Sequence, residues 1–446
     1  MNDTQQHLDH LQSIVQDLLG QARQQGASAA EAGVSMNKGL SLTARMGEVE
    51  TVERSRDQSL GVTVYFGQRK GSASTTDLSP EAVRDTVGAA CRIARLASED
   101  RFAGLADPER LARDIPDLDL YHPWEIEIDA AAELARRCEA AALEADPRID
   151  NSEGATLSTG EGAFVYGNSL GFIGGYPSSR HSLSCAVVAR DEQGMQRDYW
   201  YDTTRLPGEL ADPEQIGRQA ARRTLDRLGA RKLPTGQAPV LFRAEMAPGL
   251  LRSLVGAIRG HALYRKASFL LDQLDQPIFP EWVQIAEDPL APRGLASAPF
   301  DSEGVQTYAH DLVTDGILRS YVLDSYAARK LGMTSTGNAG GVRNLSIAPS
   351  AGSPDLPALI RQMDRGLIVT ELMGQGVNPV TGDYSRGAAG FWVEGGEIQY
   401  PVQEITVAGN LKDMYRQLVA VGADDDIPSS IRTGSWLIES LSIAGS

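Results

Sequence analysis

Cysteine is scarce: Cys91, Cys138 and Cys185 are odd in number, far apart and free of any CxxC spacing. Neither a disulfide framework nor a thiolate zinc site follows from them, and a reducing compartment is the simple expectation. No stretch approaches the roughly 18 apolar residues of a membrane-spanning helix. The N-terminal MNDTQQHLDHLQSIVQDLLGQARQQ carries acidic and polar residues where a secretory leader needs basic ones. The expectation is a cytoplasmic protein without membrane insertion. Positive charge is also in deficit, with 42 Lys and Arg against 59 Asp and Glu and a formal net charge of −17. Phosphate backbones are held by clustered Lys and Arg, so direct nucleic-acid binding is disfavoured.

What is present is an ordinary globular composition, 42% apolar and 23% charged, with 45 glycines. At 446 residues the chain exceeds what one hydrophobic core supports, so it divides. Leu11, Ile14, Val15, Leu18 and Leu19 recur at helical spacing and give an opening helix one buried stripe. After Gly26 the period changes to two in short runs, Gly39–Arg45, Glu48–Arg54 and Leu60–Phe66, the pattern of an antiparallel meander. Ser79-Pro80 then supplies a cap and a first-turn proline for a helix to about Ala97.

An alanine-rich helix over about Asp129–Glu144, strand-like runs to Asp202 and a helix opened by Asp212-Pro213 repeat the order helix, sheet, helix. Arg231-Lys232-Leu233-Pro234-Thr235-Gly236 reads as a linker. The expected fold class is α+β: an N-terminal domain, 1–232, of antiparallel sheets flanked by helices, and a β-rich C-terminal domain, 237–446. The first reads at most as two similar units, 1–100 and 125–230. The second has one good helix candidate, about Ala247–Arg259.

The familiar hydrolase signatures are missing. A zinc peptidase presents His, Asp, Glu or Cys ligands, often two His and a Glu on one helix. His7, His10, His122, His181, His261 and His310 all lack an HExxH or HExxxH neighbourhood. Ser182 beside His181, and His310-Asp311, offer serine-hydrolase residue types without a GxSxG elbow. Gly374-Gln375-Gly376 lacks the GKS or GKT ending of a phosphate loop. Four dense polar words remain: RKGSAS from Arg69, YRKASF from Tyr264, FDSEG from Phe300 and TGDYSRG from Thr381.

In order and spacing these words resemble the PmbA/TldE branch of the TldD/PmbA metallopeptidase family, whose members are also described as modulators of DNA gyrase. The resemblance covers essentially the whole chain and is most specific over VTELMGQGVNPVTGDYSRGAAGFWVEGGEIQYPVQEITVAGNLKDM, Val369 to Met414. It implies a subunit that works with a TldD-like metallopeptidase on unfolded peptides, in maturation of peptide-antibiotic precursors and degradation of an antitoxin. In the TldD branch an HExxxH helix and a later Cys bind zinc. Aligned through Arg265-Lys266, the resemblance puts Arg252, Ser253 and Ala257 at the helix positions and Thr433 at the Cys.

The resemblance therefore implies that this chain has no catalytic or metal ligands of its own, with zinc in the TldD-like partner and a fixed positive charge, Arg252, where the cation would sit. Gly374, Gly376, Tyr384, Ser385 and Arg386 are candidates for peptide or partner contact. Two alternatives stay open, a self-sufficient metallopeptidase with dispersed ligands and a non-proteolytic modulator of gyrase or of a toxin–antitoxin system. A homodimer of the isolated chain, through the surface meant for the partner, also stays open.

Overall fold

The computed structural model describes residues 2–425 and 427–445. The first half runs α1 (Asn2–Gln24), β1 (Ala29–Arg45), β2 (Glu48–Phe66), β3 (Arg69–Thr75), α2 (Pro80–Leu96), α3 (Ile128–Leu143), β4 (Ile149–Asn168), β5 (Ile173–Asp191), β6 (Gly194–Thr204) and α4 (Pro213–Leu225). Its strands form a single antiparallel sheet in the order β3-β2-β1-β4-β5-β6. The join is the β1–β4 ladder, from Glu31 opposite Asn168 to Ala44 opposite Ala155.

Both helix pairs cover the same face of this sheet, each over its own core. Leu11, Val15 and Leu18 of α1 and Val83, Val87 and Ala90 of α2 bury against Ala32, Val34 and Val62. Ala131, Ala135 and Cys138 of α3 and Ile216 and Ala220 of α4 bury against Leu42, Leu157, Leu183 and Cys185. The caps are those that the sequence proposes: Ser79 Oγ accepts from the Ala82 amide at 3.4 Å, and Asp212 Oδ1 from that of Gln215 at 3.1 Å. One expectation is corrected. Glu48–Arg54 and Leu60–Phe66 are two ends of one strand, β2, whose charged middle is exposed and stays extended because β1 pairs with its whole length.

The second half begins with β7 (Gly236–Phe242), α5 (Pro248–Ile258) and α6 (Gly260–Tyr264). Then follow β8 (Ile285–Glu287), β9 (His310–Thr314), β10 (Ile317–Leu318), α7 (Ser325–Leu331), β11 (Leu345–Ile347), α8 (Leu356–Met363), β12 (Gly366–Met373) and β13 (Asp383–Glu394). The chain ends with β14 (Glu397–Asn410), α9 (Leu411–Arg416), β15 (Leu418–Val421), β16 (Ile431–Arg432) and β17 (Trp436–Ala444). The sheet β14-β13-β12-β7-β17-β15 closes through an added β14–β17 pairing, so five of its strands form a barrel. A sheet of short strands, β10-β9-β8-β11-β16, lies beside it. The largest core, with Phe242, Leu254, Phe279, Tyr415 and Trp436, fills the space between barrel, α5 and short-stranded sheet. Among the described residues no helix is long and apolar enough to cross a membrane.

Glycine decides how closely α3 and α4 approach. The Cβ of an alanine at Gly217 would stand 2.0 Å from the Cys138 carbonyl oxygen, whereas one at Gly249 on α5 meets nothing within 4 Å. Alanine normally favours a helix by about 1 kcal/mol over glycine. Gly217→Ala should nonetheless destabilise by about 1–3 kcal/mol through overpacking. Gly249→Ala should be neutral or stabilising, and urea unfolding of the two variants reads the opposite signs.

Candidate functional site

Helix α5 and the segment after β16 are far apart in sequence and come together in the fold, α5 lying against β16. Leu250, Leu251, Leu254, Ala257 and Ile258 form the buried stripe of α5, which leaves Arg252 on its outer face. Arg252 is exposed, near Tyr201. The helical period that buries Leu251 and Leu254 turns position 252 to water.

The remaining positions are internally satisfied. Ser253 Oγ donates to the Gly249 carbonyl at 3.0 Å, and the Ala257 carbonyl accepts from Ser268 Oγ at 2.6 Å. Thr433, 3% exposed, accepts from Trp436 Nε1 at 2.7 Å and donates to the Gly434 carbonyl at 2.9 Å. A zinc ion needs lone pairs from thiolate, imidazole or carboxylate. A guanidinium, a methyl and two engaged hydroxyls do not fit it. Among the described residues there is no group of three or more His, Cys, Asp or Glu placed to hold a metal.

The histidines are dispersed rather than convergent. His181 is buried in the first sheet between Thr159 Oγ1 and the His122 carbonyl, both 2.8 Å away, and burial lowers its pKa. His261 stands 3.0 Å from Asp324 and 3.1 Å from the Tyr264 hydroxyl at the surface. His310 lies 3.7 Å from Glu287, a buried carboxylate that also accepts from Asn338.

The loop between β12 and β13 carries the other candidates. Gly374 has a left-handed φ of 77°, and a Cβ at Gly376 would stand 1.5 Å from the Ser385 carbonyl oxygen, so the loop folds flat onto β13. The Ser385 amide donates to the Gly376 carbonyl at 2.6 Å, and the Phe269 amide to the Pro379 carbonyl at 3.0 Å. Two of the polar words are therefore neighbours in space. Gly374, Gly376 and Ser385 are exposed, while Tyr384 is core, 3% exposed, packed edge-on to Phe242. Burial pushes the Tyr384 phenol up to about 12, against the pull of Arg386, and among the described residues its hydroxyl has no hydrogen-bond partner. Half-buried Arg386 donates through Nη2 to the Leu372 carbonyl at 3.3 Å.

Two features have no motif behind them. The first is a charge network between the halves: Arg223 of α4 bonds Glu245 and lies 3.4 Å from Asp198 on β6, and Arg227 bonds Glu371 on β12 and lies 3.6 Å from Asp198. Burial opposes the charge of Arg223, but Asp198 and Glu245 more than offset it and hold its pKa above the usual value. Isolated Arg, Asp and Glu in an acidic chain carry no signal of such convergence. The second is a cleft of about 600 Å³ on the helix-free face of the first sheet, lined by Ser41, Ser158, Gly160, Arg180 and Arg205. The alternation of Ser and Gly along β4 and β5 is the signal that could have found it.

Models of three PmbA/TldA metallopeptidase domains match the chain: domain 1 over residues 30–94, the central domain over 121–228 and the C-terminal domain over 235–445. The metalloprotease PmbA of Escherichia coli O157:H7 is 55% identical over 419 residues, 94% of this chain and 93% of that one. A metalloprotease PmbA homolog of Haemophilus influenzae is 49% identical over 424 residues, 95% and 94% of the two chains. A Bacteroides thetaiotaomicron crystal structure, described as a candidate modulator of DNA gyrase, superposes with a TM-score of 0.91 at 29% identity, covering 97% and 98%. TldE from Thermococcus kodakarensis, at 22% identity and a TM-score of 0.84, covers 97% of this chain and 100% of its own and shares the fold.

Removing Arg223 would leave Asp198 only Arg227 at 3.6 Å and Glu245 only Arg243 at 3.4 Å, both longer contacts, so Arg223→Ala should cost about 1–3 kcal/mol, less than for a charge left wholly unpaired. Tyr384→Phe removes an unpaired buried hydroxyl and should leave stability unchanged or raise it by up to about 1 kcal/mol. Chemical denaturation of both variants measures the contrast.

Proposed function

Because the chain belongs to the PmbA/TldD metallopeptidase family, we propose that it is the non-catalytic subunit of a cytoplasmic zinc peptidase, paired with a TldD-like subunit that carries the metal. The observation that carries this reading is the α5–β16 junction, where Arg252, Ser253, Ala257 and Thr433 offer a metal no donor set. The dispersed histidines support the same reading, since His181, His261 and His310 are each engaged with different partners. The zinc, when bound in the partner, supplies the acidified water that cuts the peptide bond.

The role left to this chain is to receive an unfolded peptide and keep it extended. The helix-free face of the first sheet suits that task. Its Ser residues present hydroxyls that can bond a peptide's main chain with little demand on sequence, while the strand amides and carbonyls beneath stay paired within the sheet. Such a surface fits processing of varied unfolded segments, as in precursor maturation or antitoxin degradation. We further propose the division into a unit over 1–232 and one over 237–446, with the charge network around Arg223 as the contact between them.

The test is to purify the chain alone and with its TldD-like partner, then measure bound zinc and cleavage of an unstructured peptide. Alone, the chain should hold substoichiometric zinc and cleave nothing. With the partner, activity should appear and should survive His261→Ala in this chain. Stoichiometric zinc together with cleavage by the isolated chain overturns the reading.

A further inference from the structure

The helix-free cleft has an uneven distribution of charge. At its β5 side stand Arg180 and Arg205. Arg205 is 7% exposed, and its guanidinium donates only to carbonyls: Nη1 to Ser179 at 2.7 Å and Nη2 to Gly294 at 3.1 Å and Leu295 at 2.9 Å. Burial, helped by the neighbouring Arg180, pulls its pKa down to about 10, so it stays charged at neutral pH. Arg180 is exposed and donates through Nη2 to the Leu295 carbonyl at 2.8 Å. Among the described residues neither arginine has a carboxylate within ion-pair distance. In a chain of net charge −17, two adjacent guanidinium groups without a counter-ion are unusual. A buried cation ordinarily finds one.

The floor between these arginines and the far side of the cleft is bare at Gly160 and carries small polar side chains, Asn37, Ser41, Ser55 and Ser158, around it. Gly39 on β1 lies directly opposite Gly160 on β4, with Gly162 beside it. A Cβ at Gly160 would meet only atoms 3.9 and 4.0 Å away, so the space above it is open. The far side, on β2, carries Glu53. The other charged pair at the margin, Lys38 and Glu161, is joined to itself. Glu53 stands three strands from Arg180, roughly 14 Å at about 4.8 Å per strand, the length of about four extended residues. The cleft is thus positive at one end, negative at the other and open over Gly160 between them.

From this arrangement we infer that the cleft binds the C-terminal carboxylate of an extended peptide, with the free guanidinium edge of Arg180 gripping the carboxylate and Arg205 fixing the positive field behind it. The inference rests on the reading of the chain as a peptide-receiving subunit and adds a polarity to it. The last residues of the substrate lie across β5, β4 and β1 with the chain arriving from the side of Glu53, where an amide or amino group is accepted and a second carboxylate is repelled. The planar fork of one arginine matches the two oxygens of a carboxylate. Gly160 lets the peptide backbone approach without a side chain in its path, while Asn37 over Gly162 and Ser55 beside Gly39 offer an amide and a hydroxyl at the edges of that opening.

The experiment uses the full chain, alone and as the complex with its TldD-like partner, and an octapeptide of Gly, Ser and Ala carrying an N-terminal fluorophore, made as the free acid and as the amide. Fluorescence anisotropy should show the acid binding about tenfold or more tightly than the amide. Arg180→Ala should erase that difference, Arg180→Lys should restore part of it, and Gly160→Val should weaken both forms by filling the floor. Equal binding of acid and amide by the wild type overturns this inference and leaves the peptide-receiving reading in place. Failure of both peptides to bind, to the chain and to the complex, overturns the two together. Displacement by millimolar inorganic phosphate without any preference for the acid identifies a free-anion site and also overturns the assignment to a peptide terminus.

Discussion

The β1–β4 ladder is the constraint on which the rest of the molecule depends. It joins Glu31–Ala44 to Ala155–Asn168 across more than a hundred intervening residues and turns two helix-covered meanders into one sheet. Without it neither half would be closed, for β1 and β4 would each present an open edge of unpaired amides and carbonyls. With it, both helix pairs fall on one face, and the opposite face is covered around Phe164 and Tyr166 by Phe300 and Val305 and open where the cleft lies. The cleft, its opening over Gly160 and the separation of Glu53 from Arg180 are all consequences of that seam.

The seam also sets how the sheet meets the barrel. Pairing of β5 with β6 places Asp198 beside Arg223 of α4 and Arg227 just after it. These arginines reach Glu245 beside α5 and Glu371 on β12. Buried charges are costly unless each finds its partner. Such a network therefore tolerates one arrangement of the two halves and penalises sliding between them. Arg205 makes a second tie through the carbonyls of Gly294 and Leu295. It brings the second half to the margin of the cleft in the first.

At the α5–β16 junction the helix lies against the strand. Arg252, Ser253, Ala257 and Thr433 bring no thiolate, imidazole or carboxylate to it. Its hydroxyls are turned to protein carbonyls and an indole N–H instead. The proposed division of labour between a metal-bearing and a peptide-receiving subunit asks only that one scaffold can be kept while the chemistry of its side chains changes.

Much of this protein was determined by local physics that the sequence carries openly. The stripe of α1, the Ser79-Pro80 and Asp212-Pro213 helix starts and the period-two runs each report a segment's own preference, and the missing HExxxH reports directly on chemistry. What only the tertiary structure decided is which distant segments meet. Glu48–Arg54 and Leu60–Phe66 became one strand because β1 pairs along both. Arg252 turned to solvent because its helix buries another stripe. Tyr384, a polar residue in a surface-like word, went into the core beside Phe242. The absence of a zinc motif was legible from residue types alone, since no folding can make an imidazole of an alanine. The cleft was not, because Gly39, Gly160, Arg180 and Arg205 become neighbours only through strand register, a long-range property that no local window contains.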